Sequence, residues 1–397
     1  MKTIIYPNNE TDLTGYEKIN SDEIIIYDKT GDIETDLPKE SSLEIFSNAD
    51  NIIFTQNCII NGEYDITPLK EACTEIRDSI REYAVMIFDT VVPPRTVYKM
   101  SKIIDEYELI PDINLAYTTK ITENVRVAAG KNETSLERTI NLYENRGDEI
   151  KTVKHIQSAE IIPILQSAYR DTLIALSNQT AILSEALTVD LIEAIDMANL
   201  DENVNLLYPQ PVLDNKTIRN SEEIVKLADE YGEASQLSET TRSTNNYVAY
   251  HMAYMAEKEL YLKEHLAMFE TTVAVLGVTN DDTLKTEKDN ASLILIDDFV
   301  SRDVEVWVHD DKISEELIEQ HGAKKITLDE AYDADCIIIM TDNPEYKNID
   351  PEKVEKVIIT ALPLLDSEKF KDKEYSSVGQ YRLKKGEMLW YIQDQAQ

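Results

Sequence analysis

SAEIIPILQSAYRDTLIALSNQTAILSEALTVDLIEAIDMAN, residues 158–199, is the stretch whose reading decides the fold. Together with Ile156 just before it, its apolar residues return mostly every three or four positions: Ile156, Ala159, Ile162, Leu165, Tyr169, Leu173, Leu176, Leu183, Leu187, Leu191 and Ile195. That is the period of an amphipathic α-helix. No glycine interrupts the run, and Pro163 falls in its first turns, where proline is tolerated best. The spacing predicts one long helix over about 156–200.

Toward the N-terminus, short apolar runs alternate with helical patterns. KTIIY (2–6), EIIIYD (23–28), NIIFT (51–55) and AVMIFD (84–89) are rich in Ile and Val and bounded by Asn, Asp or Pro. They read as buried parallel strands. Residues 68–81 and 96–107 have helical spacing, which makes a βαβ pattern. Right-handed crossovers turn that pattern into a doubly wound sheet. Toward the C-terminus come a polar segment at 201–220 and a second helical stretch at about 239–269. Beyond them TVAVLG (272–277), VEVWVHD (304–310), CIIIMT (336–341) and KVIITAL (356–362) read as strands, with helical spacing at 293–300 and 314–321. The expected fold is α/β: two Rossmann-like parallel-sheet domains joined by a long central helix. Its regions are expected at 1–150, 151–268 and 269–397. Tyr247, Tyr250, Tyr254 and Tyr261 on the second helical stretch read as a packing stripe rather than a ligand box.

The 397 residues are 42% hydrophobic, enough for real cores. Lys plus Arg is 39 and Asp plus Glu is 76, a net charge of −37. Phosphate backbones need a basic stripe, and none is present, so no nucleic-acid partner is expected. The acids are spread along the whole chain, as suits a solvated surface in a salty cytoplasm. No apolar run approaches the ~20 residues of a membrane span. The N-terminal MKTIIYPNNETDL lacks the long apolar segment of a signal peptide. A cytoplasmic protein with no membrane contact is expected. Cys58, Cys73 and Cys336 are far apart and read as buried thiols. His155, His251, His265, His309 and His321 form no metal spacing with one another, so no metal is expected.

The order sheet, long helix, sheet, together with particular residues, resembles the UDP-glucose/GDP-mannose dehydrogenase family. The central block carries the best match, with its Ala-Glu, Tyr-Arg and following Asn, Glu and Asp. VAVLG (273–277), DADCIIIMTDNPEYKNID (333–350), DTVVPPRT (89–96) and the closing LLDSEKFKDKEYSSVGQY fall in the family's order. The resemblance implies an N-terminal dinucleotide-binding domain, a central dimerising helix and a C-terminal domain that grips a nucleotide sugar. It also implies a two-step, NAD-dependent oxidation of an alcohol to an acid.

The residues that such chemistry needs are mostly replaced. A dinucleotide turn needs glycines, which let the backbone reach the pyrophosphate at a helix N-terminus. Here Pro7, Asn8 and Asn9 occupy that turn, the nearest glycine is Gly15, and the gap to the second strand is short for a full helix. Asp28 ends the second strand and is the candidate for the ribose hydroxyls, with an ordinary strand-end aspartate as the plainer reading. The family's cysteine nucleophile sits in a Gly-Gly-x-Cys loop. LLYPQPVLDNKTIRN (206–220) has neither glycine nor cysteine, and Thr217 stands nearest the cysteine's position. The implied oxyanion-stabilising lysine and asparagine fall on Pro163 and Ser167. The implied acid/base glutamate falls near Lys120, and the loop before Val125 looks shortened. Thr90 is retained in the DTVVPPRT turn. In the C-terminal part Asp281 lies near an implied nucleotide-binding lysine. Lys288 is the candidate to stand in for a downstream arginine, and a late arginine turn has become TALP (360–363).

The leading expectation is therefore a non-catalytic homologue of a UDP-sugar dehydrogenase. It would serve as a scaffold or regulatory subunit in glycan or cell-surface polysaccharide synthesis and need no cofactor. Its expected partner is a second copy, or an intact paralogue, bound through the central helix. Two alternatives stand beside it. One is a divergent dehydrogenase that uses NAD to oxidise a nucleotide sugar to its uronic acid. The other is a binding module for a different small ligand in the inherited interdomain cleft.

Overall fold

The computed structural model describes residues 1–8, 11–81, 83–104, 113–281, 287–366, 368–370 and 373–380. The chain divides into two compact units, Met1–Gln166 and Ser167–Gln397. The residues read as a central helical region are therefore shared between them. Of the helix expected at 96–107, the last three positions lie outside the described residues, as do Asn9 and most of the segment after Asp281.

The first unit is built on β1 (Lys2–Tyr6), β2 (Glu23–Tyr27), β3 (Lys39–Glu40) and β4 (Asn51–Phe54), followed by a small hairpin of β5 (Ile59–Ile60) and β6 (Glu63–Tyr64). Then come α1 (Thr67–Ile76), β7 (Val85–Phe88), α2 (Thr96–Ile104), β8 (Asn114–Thr122), β9 (Val125–Gly130), α3 (Glu133–Tyr143), β10 (Glu149–Thr152) and α4 (Ile156–Glu160). The sheet order is β10-β9-β8-β7-β4-β1-β2-β3. All neighbours are parallel except β8 and β9, which form an antiparallel hairpin across Glu123 and Asn124. That hairpin is the shortened loop read before Val125. The apolar strands are buried on both faces, as parallel strands must be. Ile4, Ile52, Phe54 and Phe88 pack toward Leu69, Cys73 and Met100, while Ile5, Ile26, Ile53 and Ile87 face Tyr16, Ile19 and Tyr143.

From the end of the first unit into the second run α5 (Ile162–Ala186), α6 (Leu191–Ala198), α7 (Asn215–Tyr231) and α8 (Gln236–Glu259). They are followed by β11 (Thr272–Leu276), α9 (Ala291–Ser301), β12 (Glu305–His309), α10 (Glu315–Gln320), β13 (Lys324–Lys325), β14 (Cys336–Ile339), β15 (Val357–Thr360) and β16 (Glu374–Ser377). Every pair in the sheet β13-β12-β11-β14-β15-β16 is parallel. In order of appearance this is the 3-2-1-4-5-6 arrangement of a doubly wound fold. Gly277 ends β11 at φ +92, and a Cβ there would lie 2.2 Å from Thr341 Oγ1, so the turn demands glycine.

Three sequence expectations are corrected. The single helix over 156–200 is three helices. Pro163 has no N–H to give Ala159, so the chain breaks at Ile161, and Thr188 (φ +57) with the Asp190 cap separates α5 from α6. The segment read as polar contains the start of α7, which Asp214 caps and Gly232 ends. Its buried face is largely polar, with Asn215, Thr217, Arg219 and Asn220 enclosed, so hydrophobic periodicity cannot reveal it. The tyrosines on and beyond α8 are not an internal stripe. Tyr247, Tyr250, Tyr254 and Tyr261 are 54, 49, 58 and 65% exposed. The three cysteines are buried and free, as expected. Among the described residues no helix is long and apolar enough to cross a membrane.

Candidate functional site

In a doubly wound sheet the ligand crevice opens where the strand order reverses, which in the first unit is between β1 and β4. Among the described residues, the chain leaving β1 enters no α-helix there and reaches only a 3₁₀ turn at Tyr16–Lys18 before β2 begins. The loop is tied to the end of β4 by its own side chains. Thr11 Oγ1 lies 2.8 Å from both Asn8 Oδ1 and the Thr55 carbonyl, and its single proton serves one of them at a time. The Asn57 amide donates to Asn8 Oδ1 at 3.3 Å, and Gln56 Nε2 donates to the Tyr6 carbonyl at 2.7 Å. Thr90, read from the sequence as retained, donates to the Gln56 carbonyl at 2.8 Å, which is the role of a turn residue.

Asp28 is likewise turned onto its own loop. Its carboxylate accepts the Gly31 amide at 2.7 Å and the Ile33 amide at 3.3 Å, and it pairs with Lys39 at 3.1 Å. Enclosure would raise its pKa, but Lys39 and the two amides outweigh that and hold it below the ordinary value.

Beside this crevice lies a buried polar network. Tyr16 and Tyr143 donate to Asp89 Oδ2 at 2.6 and 2.7 Å, and Arg126 Nη1 meets Asp89 Oδ1 at 2.6 Å. Arg126 Nε reaches Asp148 at 3.3 Å, and Lys120 holds the other oxygen of Asp148 at 3.2 Å. The structure thus puts Lys120 in a structural ion network. Burial works to raise the pKa of Asp89, yet Arg126 and the tyrosine hydroxyls keep it below the ordinary value. Burial and Asp89 push both phenols well up, so they stay donors. Sequence reasoning missed this network. One signal for it existed: Arg126 stands between Val125 and Val127 in a strand, where only a paired charge is tolerated.

Pro163 is buried in the first turn of α5. Ser167, one turn on, accepts from Asn220 Nδ2 at 2.9 Å. Asn220 lies on α7 three positions after Thr217, so two of the candidate positions are joined by a single turn of that helix. Thr217 is enclosed, and its amide donates to the capping Asp214 at 2.7 Å. Asp281 Oδ2 accepts the Asn215 amide at 2.7 Å. Two carboxylates of the chain itself therefore cover the start of α7, the end of a helix that attracts anions. A threonine nucleophile needs an adjacent base, and these nearby acids are committed to amides. Farther along α5 the fully buried Asp171 pairs with Arg242 of α8 at 2.9 Å, and Asn245 Nδ2, also on α8, donates to the same oxygen at 2.7 Å. Burial raises the Asp171 pKa against the pull of Arg242 and Asn245. Lys288 pairs with Glu222 at 2.7 Å, so this candidate for substrate binding faces an acid of its own chain.

None of the three thiols is activated. Burial, with Asp65 next, pushes the Cys58 thiol up to about 12, and burial pushes Cys73 and Cys336 up as well. One group of metal-ligating side chains converges among the described residues: His309, Asp311 and Glu345. Sequence spacing hid it, because Glu345 joins the other two only through the fold.

Residues 157–247 match the UDP-glucose/GDP-mannose dehydrogenase family, central domain, and residues 274–373 match the UDP binding domain of the same family. UDP-N-acetyl-D-mannosamine dehydrogenase of Methanocaldococcus jannaschii is 26% identical over 301 residues, 74% of this chain and 67% of that protein. The protein of the same name from Methanococcus vannielii is 24% identical over 298 residues, with the same shares. Among solved structures, NDP-N-acetyl-D-galactosaminuronic acid dehydrogenase from Methanosarcina mazei Go1 superposes over 96% of both chains, with a TM-score of 0.82 at 14% identity. UDP-D-ManNAc dehydrogenase from Pyrococcus horikoshii gives 0.77 at 18% identity, over 96% of this chain and 100% of that one. At these identities the structural likeness speaks to fold alone.

Proposed function

The chain belongs to the UDP-glucose/GDP-mannose dehydrogenase family, and from that premise we propose that it is a non-catalytic member, a scaffold or regulatory subunit rather than an oxidoreductase. The observation that carries this reading is the β1–β2 crossover. Dinucleotide binding relies on a glycine turn that leads into a helix whose N-terminal amides face the pyrophosphate. Here the described part of the crossover holds only the turn Tyr16–Lys18, and Asn8, Thr11 and Gln56 lace the loop to the neighbouring strand. Pro163, Ser167 and Thr217 at the family's reactive positions support the same conclusion. So do Asp214 and Asp281 over the start of α7, since fixed carboxylates repel a diphosphate.

What persists is a surface for assembly. Tyr169, Leu176 and Leu183 on α5, with Leu187 just past its end, are 50–61% exposed. Their spacings of seven, seven and four place them within ~40° on one face of the helix. The partner is a second copy or a catalytically intact relative, docked on that stripe. The relatives' names support a role for such a pair in the supply of nucleotide-sugar acids, and cytoplasmic work toward cell-surface polysaccharide belongs to the same proposal.

The test is to incubate the purified chain with UDP-N-acetyl-D-mannosamine and NAD, and to titrate NAD and NADH calorimetrically at millimolar levels. No NADH and no binding heat are expected. Turnover, or micromolar affinity for NAD, would replace this reading with that of a divergent NAD-dependent dehydrogenase.

A further inference from the structure

We propose that His309, Asp311 and Glu345 form a divalent-metal site in the second unit, with Zn²⁺ as its preferred ion. None of the three occupies a reactive position of the family, so the proposal does not depend on whether the chain is catalytic.

His309 is the last residue of β12, and its side chain is 7% exposed. Its carbonyl accepts the Gly277 amide at 2.9 Å and the Tyr346 hydroxyl at 2.9 Å. The one proton of that hydroxyl is thereby used. The phenol oxygen lies 3.0 Å from His309 Nδ1, so Nδ1 must be the donor in that contact. The neutral ring then carries its lone pair on Nε2. This tautomer lock, a hydrogen bond on the nitrogen away from the ion, is how proteins orient a ligating histidine.

Nε2 points at acids. Its nearest carboxylate oxygen, Asp311 Oδ1, is 3.9 Å away, too far for a hydrogen bond. Glu345 closes the triangle, and the three ligand atoms lie within 4.8 Å of one another. Ligands ~2.0–2.2 Å from a shared ion stand somewhat closer than this, so a modest rotation completes the site. Both carboxylates are free to make it, since they are exposed and neither accepts a hydrogen bond among the described residues. Glu315, Asp329 and Glu330 line the same cleft of about 560 Å³. Lys325, a cation in that lining, gives its ammonium to the Ile313 carbonyl. Two convergent carboxylates in a chain of net charge −37 repel each other unless a cation lies between them.

The donor set selects the ion. A neutral imidazole suits Zn²⁺, whereas Ca²⁺ and Mg²⁺ prefer oxygen ligands throughout. Three protein ligands leave a position to water, so the ion should remain exchangeable.

The experiment is calorimetric titration of the metal-stripped full chain with Zn²⁺ alone, in excess Mg²⁺ to occupy the general acidic surface. One saturable equivalent is expected. Asp311→Asn combined with Glu345→Gln, both at exposed positions that leave the fold intact, should abolish it. Tyr346→Phe, which keeps the ring but releases the tautomer, should weaken it more than about tenfold. Bound Co²⁺ should show a visible spectrum with nitrogen coordination that His309→Gln removes. Absence of a saturable equivalent, or binding unchanged in the double variant, overturns the proposal.

Discussion

Glu160 shows how enclosure sets the state of a single side chain. It is fully buried on α4, and its carboxylate accepts the Arg95 and Val97 amides at 2.6 and 2.8 Å at the start of α2. Burial pushes its pKa up to about 7, although those amides and Lys99 pull the other way. The folded state thus holds a proton that the unfolded chain releases near its ordinary value of 4.5. The resulting stabilisation is full below that value and lost as pH rises through about 7. Glu160→Gln removes this dependence. Unfolding free energies of the two chains from urea titrations between pH 5 and 8 should diverge in favour of the variant by roughly 2–3 kcal/mol as pH rises. Parallel curves would show that Glu160 does not titrate in this window. The partners of such residues are not legible locally. Tyr16 and Tyr143 meet Asp89 across 73 and 54 residues of chain. Of that network only Arg126, between two valines, announces itself in the sequence.

At the scale of elements, apolar periodicity served well wherever an element buries an apolar face. It placed the eight runs read as strands within a residue or two of where they lie. It failed at α7, whose enclosed face is polar, and left β8 and β9 unread on either side of the shortened loop before Val125. It also merged α4, α5 and α6, because a missing N–H at Pro163 and a left-handed Thr188 break helical hydrogen bonding without breaking the hydrophobic pattern. The same pattern could not say which apolar residues of α5 would face outward. Ile174 and Ala181 are buried, while Leu176 and Leu183 are exposed. Glutamate at both Leu176 and Leu183 should therefore spare the fold and destroy an interface, since unpaired charge is costly at the centre of a contact. Sedimentation should give a dimer for the native chain and for Lys154→Glu, and a monomer with an unchanged melt for the double variant. A clean native monomer at tens of micromolar, with no relative recovered from cells, would remove the scaffold reading.

Over the whole molecule, 76 acidic side chains face 39 basic ones. Some of the acids have internal partners, as Asp89, Asp148 and Asp171 do, or cap helices, as Asp190 and Asp214 do. Many others, such as Asp22, Asp78 and Glu149, lie at the surface and repel at long range when salt is scarce. The Debye length falls from ~30 Å at 0.01 M to ~3 Å at 1 M. The thermal midpoint should therefore rise with potassium chloride over that range. A midpoint that stays flat would mean that internal pairing already neutralises the field, and would disconnect the acidity from a high-salt interior.

By itself the sequence determined the α/β class, eight strands of the two sheets, the helical character of much of the chain between them, and the lack of glycine at positions 7–9 and of cysteine in residues 206–220. These are local properties. A strand or an amphipathic helix leaves its period in consecutive residues, and a missing residue type is missing however the chain folds. Only the tertiary structure decided what the replacements do. It tied Asn8 and Thr11 to the next strand, set Asp281 over the start of α7, gave Lys120 to Asp148, and brought Glu345 beside His309 and Asp311. Each of these contacts joins positions whose separation along the chain carries no signal, because the energy of a polar contact depends on distance and enclosure in space.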